Sequence, residues 1–249
     1  MAPLTGRHAL VTGGGSGIGA ACAHALAEAG ARVTVLGRRE ARLRAIGAAG
    51  IAVADVTEEA ALAAAIAGAA GARGPVALLV NAAGAAESAP FLRSDTALWE
   101  RMLRVNLLGA VHASRAVLPA MLEARFGRIV NIASTAALKG YAYVTAYTAA
   151  KHALLGFTRA LAQEVAAKGV TVNALCPGFT DTELLAESVA RITAKTGRDE
   201  AEARAELARH NPQGRLVQPG EVASACVFLC LPSAAAINGQ AIALDGGET

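Results

Sequence analysis

His8-Ala-Leu-Val-Thr12-Gly13-Gly-Gly-Ser16-Gly17-Ile18-Gly19, running into an alanine-rich segment that closes on Gly30, is the stretch that decides the fold. A short apolar run, a turn made mostly of glycine and a helix-prone segment read as strand, turn and helix, with Gly30 suited to a left-handed C-terminal cap. The spacing departs from a strict G-x-G-x-x-G, yet glycines stand at 13, 17 and 19, between the strand and the helix. Without side chains there, a diphosphate can approach the backbone closely, and the helix N-terminus offers unpaired N–H groups and partial positive charge. Flexibility alone would not require that placement, so the turn reads as a dinucleotide site.

Outward from the turn, apolar runs at 31–36, 50–54, 76–80, 127–133, 169–176 and 240–245 alternate with segments of helical periodicity. Such alternation predicts an α/β fold, a doubly wound and mainly parallel sheet with helices on both faces. A length of 249 residues suits one domain, 1–249. Hydrophobic residues make up 54% and charged ones 17%, which excludes disorder. A net charge of +3 without a basic stripe argues against nucleic acid as a partner; the local run Arg38, Arg39, Arg42, Arg44 is the exception. Cys22, Cys176, Cys226 and Cys230 form no Cys-x-x-Cys pair and no metal-ligand spacing with histidine, so they read as buried free thiols, with no metal and a reducing, cytoplasmic setting. The apolar run 60–72 is too short for a bilayer and no cleavable leader is visible, so no membrane partner is expected.

A second constellation carries chemistry. In Tyr147-Thr-Ala-Ala-Lys151 a helix begins near the tyrosine, and residues four apart share one face, so the ammonium can lie near the phenol. A free tyrosine titrates near ~10, and a neighbouring cation lowers an acid by about 1–3 units, which would make Tyr147 a usable general acid or base. Ser134 ends the strand 127–133, where its hydroxyl could donate to a substrate carbonyl oxygen. Asn81-Ala-Ala-Gly84 follows the fourth strand.

The glycine turn, Asn81 to Gly84, Ser134 and Tyr147-x-x-x-Lys151 together resemble the short-chain dehydrogenase/reductase family in its single-domain branch. The resemblance runs from Thr12 to Gly247, and Gln213-Gly-Arg-Leu-Val-Gln-Pro-Gly-Glu-Val is similar to the same segment of 3-oxoacyl-thioester and polyketide reductases. It implies a Rossmann-type sheet of seven strands and a catalytic set of Asn106, Ser134, Tyr147 and Lys151, Asn106 binding a water that relays protons through Lys151. By itself, an asparagine within the helical segment 95–123 suggests an exposed face. The resemblance further assigns cofactor contacts to Gly13, Ser16, Gly17, Ile18 and Gly19, to Asp55 and Val56 at the adenine, to Asn81 and Gly84, to Tyr147 and Lys151, and to Pro177, Gly178, Thr180 and Thr182 as a nicotinamide loop. It implies a substrate lid at about 183–212 and a homotetramer formed through the 95–123 helix and the helix starting at Tyr147. Ala82 departs from the family's usual Asn-Asn-Ala-Gly, which puts local packing in question more than cofactor binding.

Gly37, Arg38 and Arg39 follow the second strand, where an NAD enzyme of this topology carries an acidic residue for the ribose 2′-hydroxyl. Two arginines welcome a 2′-phosphate instead, so NADP(H) is expected, with NAD(H) as the second choice; the competing reading is an ordinary solvated helix start. Thr57 is expected to cap the following helix. The activity implied is reversible hydride transfer between a nicotinamide and a secondary alcohol or ketone, including a 3-oxoacyl or 3-hydroxyacyl thioester, although loop 85–90 lacks the thioester reductases' substrate-side pattern. A catalytically silent nucleotide-sensing or scaffold protein is the alternative, against which the intact Asn106, Ser134, Tyr147 and Lys151 argue. An epimerase of the longer branch would need more chain.

Overall fold

A computed structural model describes residues 2–47 and 50–249. In chain order it runs β1 (His8–Thr12), α1 (Gly17–Glu28), β2 (Arg32–Gly37), α2 (Glu40–Ala45), β3 (Gly50–Val53), α3 (Glu59–Arg73), β4 (Val76–Asn81), α4 (Thr96–Leu103), α5 (Gly109–Glu123), β5 (Gly127–Ile132), α6 (Thr145–Val165), β6 (Val170–Pro177), α7 (Glu183–Thr196), α8 (Glu200–Ala208), α9 (Pro219–Cys230) and β7 (Ala241–Leu244). The seven strands form one parallel sheet in the order β3-β2-β1-β4-β5-β6-β7. This is the doubly wound sheet expected from the alternation.

Successive strand residues face opposite sides of a sheet, and the two cores divide accordingly. Val11, Val35, Val80 and Val130 join Cys22, Leu26, Val222 and Cys226 under α1 and α9. Leu10, Leu36, Leu79 and Ile129 join Leu62, Val117, Leu161 and Val165 under α3, α5 and α6. All four cysteines are buried and unpaired. The continuous helical run Thr96–Glu123 is long and apolar enough to cross a membrane by composition, but Ala113, Val117 and Met121 are buried in the second core.

Segment 95–123 was open between two helices and one bent helix. It is one run in which α4 passes into α5 through a widened, π-helical turn at Arg104–Leu108. Asn106 sits in that turn and is 2% exposed, so the exposed-face reading of this asparagine is wrong. The reason is local: Asn106 Nδ2 donates to the Met102 carbonyl at 3.1 Å and to the Ala85 carbonyl at 2.9 Å, which pairs both N–H donors within the protein. Thr57 also departs from expectation. Glu58 is the N-cap of α3, while the Thr57 amide and hydroxyl both donate to Asp55 Oδ1 at 2.9 Å.

One buried histidine ties the amino ends of the strands. His8, 1% exposed, has Nδ1 2.7 Å from the Gly74 carbonyl and Nε2 2.9 Å from Thr34 Oγ1. A carbonyl only accepts, so Nδ1 carries the proton and Nε2 accepts from the threonine hydroxyl. Burial, reinforced by Arg32 and Arg73, holds this imidazole below its ordinary 6.5. The unfolded chain therefore binds a proton here more readily than the native one, and stability falls as pH drops below 6.5. Thermal melting from pH 8 to pH 5 is expected to show this loss; in His8→Gln the midpoint should be lower at pH 8 and its slope between pH 7 and 5 shallower.

Candidate active site

The carboxyl ends of the parallel strands open on one cleft of about 960 Å³. Its floor begins at the glycine turn. Gly13 and Gly17 take φ of +64° and +53°, a region costly for other residues. A Cβ on Gly19 would lie 2.3 Å from the Gly13 carbonyl oxygen, and one on Gly13 would lie 2.7 Å from the backbone of Ala83. Thr12 Oγ1 accepts from the Ala82 and Ala83 amides at 3.2 and 3.3 Å, fixing the end of β4 against the turn. Ser16, the N-cap of α1, is extended and makes no side-chain capping bond, so the first amides of the helix, at Gly17, Ile18 and Gly19, remain available on the cleft wall.

At the ends of β2 and β3, Gly37, Arg38, Arg39, Asp55 and Val56 line the cleft. Arg38 lies 3.7 Å from Asp55 with its side chain 75% exposed. Arg42, which sequence reasoning left out of the site, also lines the cleft and pairs across it with Glu183 at the start of α7. Beside this pair the Thr182 methyl lies 3.2 Å from the position a Cβ on Gly17 would take.

Asn81 is placed differently from its neighbours. Its Nδ2 donates to Asn131 Oδ1 at 2.8 Å and to Ser114 at 3.4 Å, inside the sheet, while Ala82, Ala83 and Gly84 face the cleft. Asn131 in turn donates to Thr158 at 2.8 Å. Asn81 thus fastens β4 to β5, and the cleft wall after it is backbone and small side chains.

Asn106, Ser134, Tyr147 and Lys151 all reach the same cleft. Ser134 is extended and its Oγ accepts from the Ala136 amide at 3.1 Å, capping a short 3₁₀ turn at Thr135–Ala137. Asn106 Oδ1 accepts from the Ala85 amide at 3.3 Å. A Cβ on Gly84 would be 3.0 Å from that oxygen and 3.7 Å from Lys151 Nζ, so the bare glycine sits between the two. The expected cation–phenol effect is not what the geometry shows. Lys151 is 4% exposed, donates to the Ile132 carbonyl at 2.9 Å, and has Nζ 5.7 Å from the Tyr147 ring centroid. Burial pushes the ammonium down to about 8. Tyr147 keeps some surface open to the cleft, yet desolvation raises its phenol, with the Ser134 hydroxyl acting in the opposite direction. Desolvation penalises both charged forms and is the largest influence on each.

Pro177 and Gly178 end β6 at the cleft; Thr180 Oγ1 donates to the Gly178 carbonyl at 2.9 Å. Thr182 is the N-cap of α7, accepting from Leu185 at 3.4 Å, so it is a capping threonine that also lines the cleft. Segment 183–212 is a helical pair, α7 and α8, whose Leu185, Val189, Ala203 and Leu207 pack with Leu216 beyond the segment.

Residues 7–193 match the family model for short chain dehydrogenases. The chain is 37% identical to D-beta-hydroxybutyrate dehydrogenase of Cupriavidus necator, covering 98% of each, and 39% identical to galactitol 2-dehydrogenase (L-tagatose-forming) of Cereibacter sphaeroides, covering 99% of this chain and 96% of the other. Among solved structures it superposes on a variant of actinorhodin polyketide ketoreductase with NADPH at a TM-score of 0.93, with 37% identity over 98% of each chain. The chain belongs to the short-chain dehydrogenase/reductase family. It is a nicotinamide-dependent oxidoreductase that interconverts a secondary alcohol and a ketone by hydride transfer, and these likenesses give no support to a catalytically silent scaffold.

Since a Cβ on Gly19 cannot coexist with the Gly13 carbonyl, Gly19→Ala must displace the turn, and displaced backbone typically costs about 1–3 kcal/mol. Fluorescence titration should show dinucleotide affinity reduced by roughly tenfold or more, with a melting temperature lowered only modestly.

Proposed function

We propose that this protein is an NADP(H)-preferring reductase and dehydrogenase of a small ketone and its alcohol, with Asn106, Ser134, Tyr147 and Lys151 as its catalytic residues. The observation that carries this is the convergence of those four side chains on the cleft that also holds the glycine turn. The residues fit a nicotinamide dinucleotide: the turn gives a diphosphate bare backbone and a helix N-terminus, Arg38 and Arg39 flank the adenosine side with Asp55 and Val56, and Gly84, Pro177, Gly178, Thr180 and Thr182 border the nicotinamide side. Asn81 supports that wall from within the sheet. When bound, the cofactor supplies or accepts hydride.

The protein's own residues handle the oxygen and the proton. Ser134 presents a hydroxyl to the substrate oxygen. Tyr147, kept neutral by its surroundings, protonates the developing alkoxide during reduction and takes the proton back during oxidation. Lys151, titrating at about 8, exchanges protons near neutral pH, and Asn106, on the other side of Gly84, holds the water through which that proton travels. The single domain carries residues 183–212 as a substrate lid; by family resemblance the enzyme is a homotetramer joined through α4, α5 and α6, and its buried free cysteines suit a reducing, cytoplasmic setting. A 3-oxoacyl thioester remains within the substrate range that the resemblance implies.

Tyr147→Phe removes the proposed proton donor while keeping the ring, so turnover should fall by about 10²–10⁴-fold with cofactor affinity little changed. Tyr143, 65% exposed, is the internal control; loss of activity in Tyr143→Phe but not in Tyr147→Phe would reverse the assignment.

Cofactor choice has its own test. A charge-assisted hydrogen bond contributes about 1.5–3 kcal/mol, roughly 10–100-fold in binding. Wild-type kcat/KM should therefore favour NADPH over NADH by at least about tenfold, and Gly37→Asp combined with Arg38→Ala should shift the ratio toward NADH. A wild-type preference for NADH would mean that the exposed arginines serve only the solvated start of α2.

A further inference from the structure

The proposed mechanism leaves unused a polar cluster beside Ser134. The Tyr141 hydroxyl lies 2.7 Å from Glu248 Oε1 and 2.7 Å from Thr135 Oγ1. A carboxylate only accepts, so the phenol donates to Glu248 and accepts from the threonine next to Ser134. Lys139 Nζ is 3.0 Å from the same carboxylate oxygen, and His210 Nδ1 is 3.6 Å away. The Glu248 side chain is 3% exposed, and its second oxygen has no hydrogen-bond partner. In front of it Tyr141, Phe179 and His210 meet as rings, with centroids 5.1–6.1 Å apart, and these three line the cleft with Ser134 and Tyr147.

The carboxylate behind the ring fixes what His210 offers. The nearby negative charge, 3.6 Å from Nδ1, favours the N–H on that side, and in that neutral tautomer Nε2 is an acceptor. Nε2 has no hydrogen-bond partner among the described residues, and the side chain is 45% exposed. Nearby, Ala136, Ala142, Val144, Leu184 and Leu185 make the wall apolar.

We propose that Tyr141, Phe179 and His210, backed by Glu248, form a subsite for a hydroxylated substrate, a hydroxyketone or polyol bearing a hydroxyl beyond the reacting carbon. The C–H edge of such a molecule packs on the rings of Phe179 and Tyr141, and its hydroxyl donates to His210 Nε2. An alkyl chain seated there would leave that acceptor desolvated and unpaired, and a site built around a hydrogen bond rejects the analogue that lacks the partner group. A substrate carboxylate would bring a second acceptor toward the imidazole acceptor. This subsite rests on the reading that Ser134 and Tyr147 hold the reacting carbonyl.

The test compares erythrulose, 2-butanone and acetoacetyl-CoA as substrates with NADPH. Erythrulose should exceed 2-butanone in kcat/KM by at least about tenfold, ~1.4 kcal/mol, with the difference mainly in KM. His210→Phe keeps a ring against Phe179 and Tyr141 but removes the acceptor, so the erythrulose to 2-butanone ratio should collapse toward one. His210→Gln restores an acceptor and should recover part of the ratio, which a purely structural role would not predict; melting temperatures of both variants report whether they fold. The inference is overturned by a wild-type ratio below tenfold, by an unchanged ratio in His210→Phe, or by acetoacetyl-CoA outperforming erythrulose. If Tyr147→Phe leaves turnover of all three intact, the catalytic reading has failed and the subsite falls with it; if Tyr147→Phe is inactive but the ratio is flat, the subsite alone has failed.

Discussion

Every strand of the sheet runs in the same direction, and this constraint places the chemistry. Parallel pairing forces each connection to cross a face of the sheet, so all seven carboxyl ends lie along one edge. From β1 the chain steps outward to β2 and β3, then returns to place β4 on the other side of β1. The loops leaving β1 and β4 therefore diverge, and a crevice opens between them. In that crevice the backbone of the glycine turn touches the backbone after β4, with Thr12 bridging the two. Side chains are excluded from this contact, which is why residues 13, 19 and 82–84 are small or bare.

Burial then governs the electrostatics of the site. A lysine held as a permanent cation would stabilise a phenolate, but Lys151 is surrounded by protein and its ammonium is satisfied by the Ile132 carbonyl. Its charge is consequently close to balanced at about pH 8 rather than fixed. A group in that range can give and take a proton during turnover, a property suited to a relay more than to static charge stabilisation. The same desolvation keeps Tyr147 protonated. Asn106, inside the π-helical turn, complements this arrangement: its amide donates to the Met102 carbonyl, which orients Oδ1 toward Gly84.

Features encoded in a few consecutive residues were legible from sequence: the strand-turn-helix around residues 13–19, the Tyr147 and Lys151 spacing, the alternation that gives the sheet. Features made by contacts between distant segments were not. Nothing near Asn106 announces a widened turn, and helix propensity alone pointed to solvent. Asn81 was assigned to the cofactor by resemblance, whereas its side chain is held inside the sheet by Asn131, fifty positions away on β5. Arg42 was visible only as part of a basic run; its role on the cleft wall depends on Glu183, 141 residues later. Glu248 gave no signal, since its partners Lys139, Tyr141 and His210 come from two other segments. Thr57 shows the opposite error, a good capping residue drawn instead to an aspartate two positions before it.

The segment 183–212 is fastened differently at its two ends. At its start, Glu183 meets Arg42 through side chains 61% and 39% exposed. Exposed ion pairs contribute ~0–1 kcal/mol, because water competes for both charges and holding two long side chains has an entropic cost. At its end, His210 is wedged among Tyr141 and Phe179 and faces a carboxylate buried to 3% exposure. Separating those groups would expose ring surface and strip a partner from a desolvated charge, which is the larger penalty. The Arg42–Glu183 contact is thus the weaker of the two, and burial of Leu185 and Val189 with Ala203, Leu207 and Leu216 does more than that ion pair to seat α7. The weaker contact lies over the dinucleotide groove, and the stronger lies beside Ser134 where a substrate would be shaped.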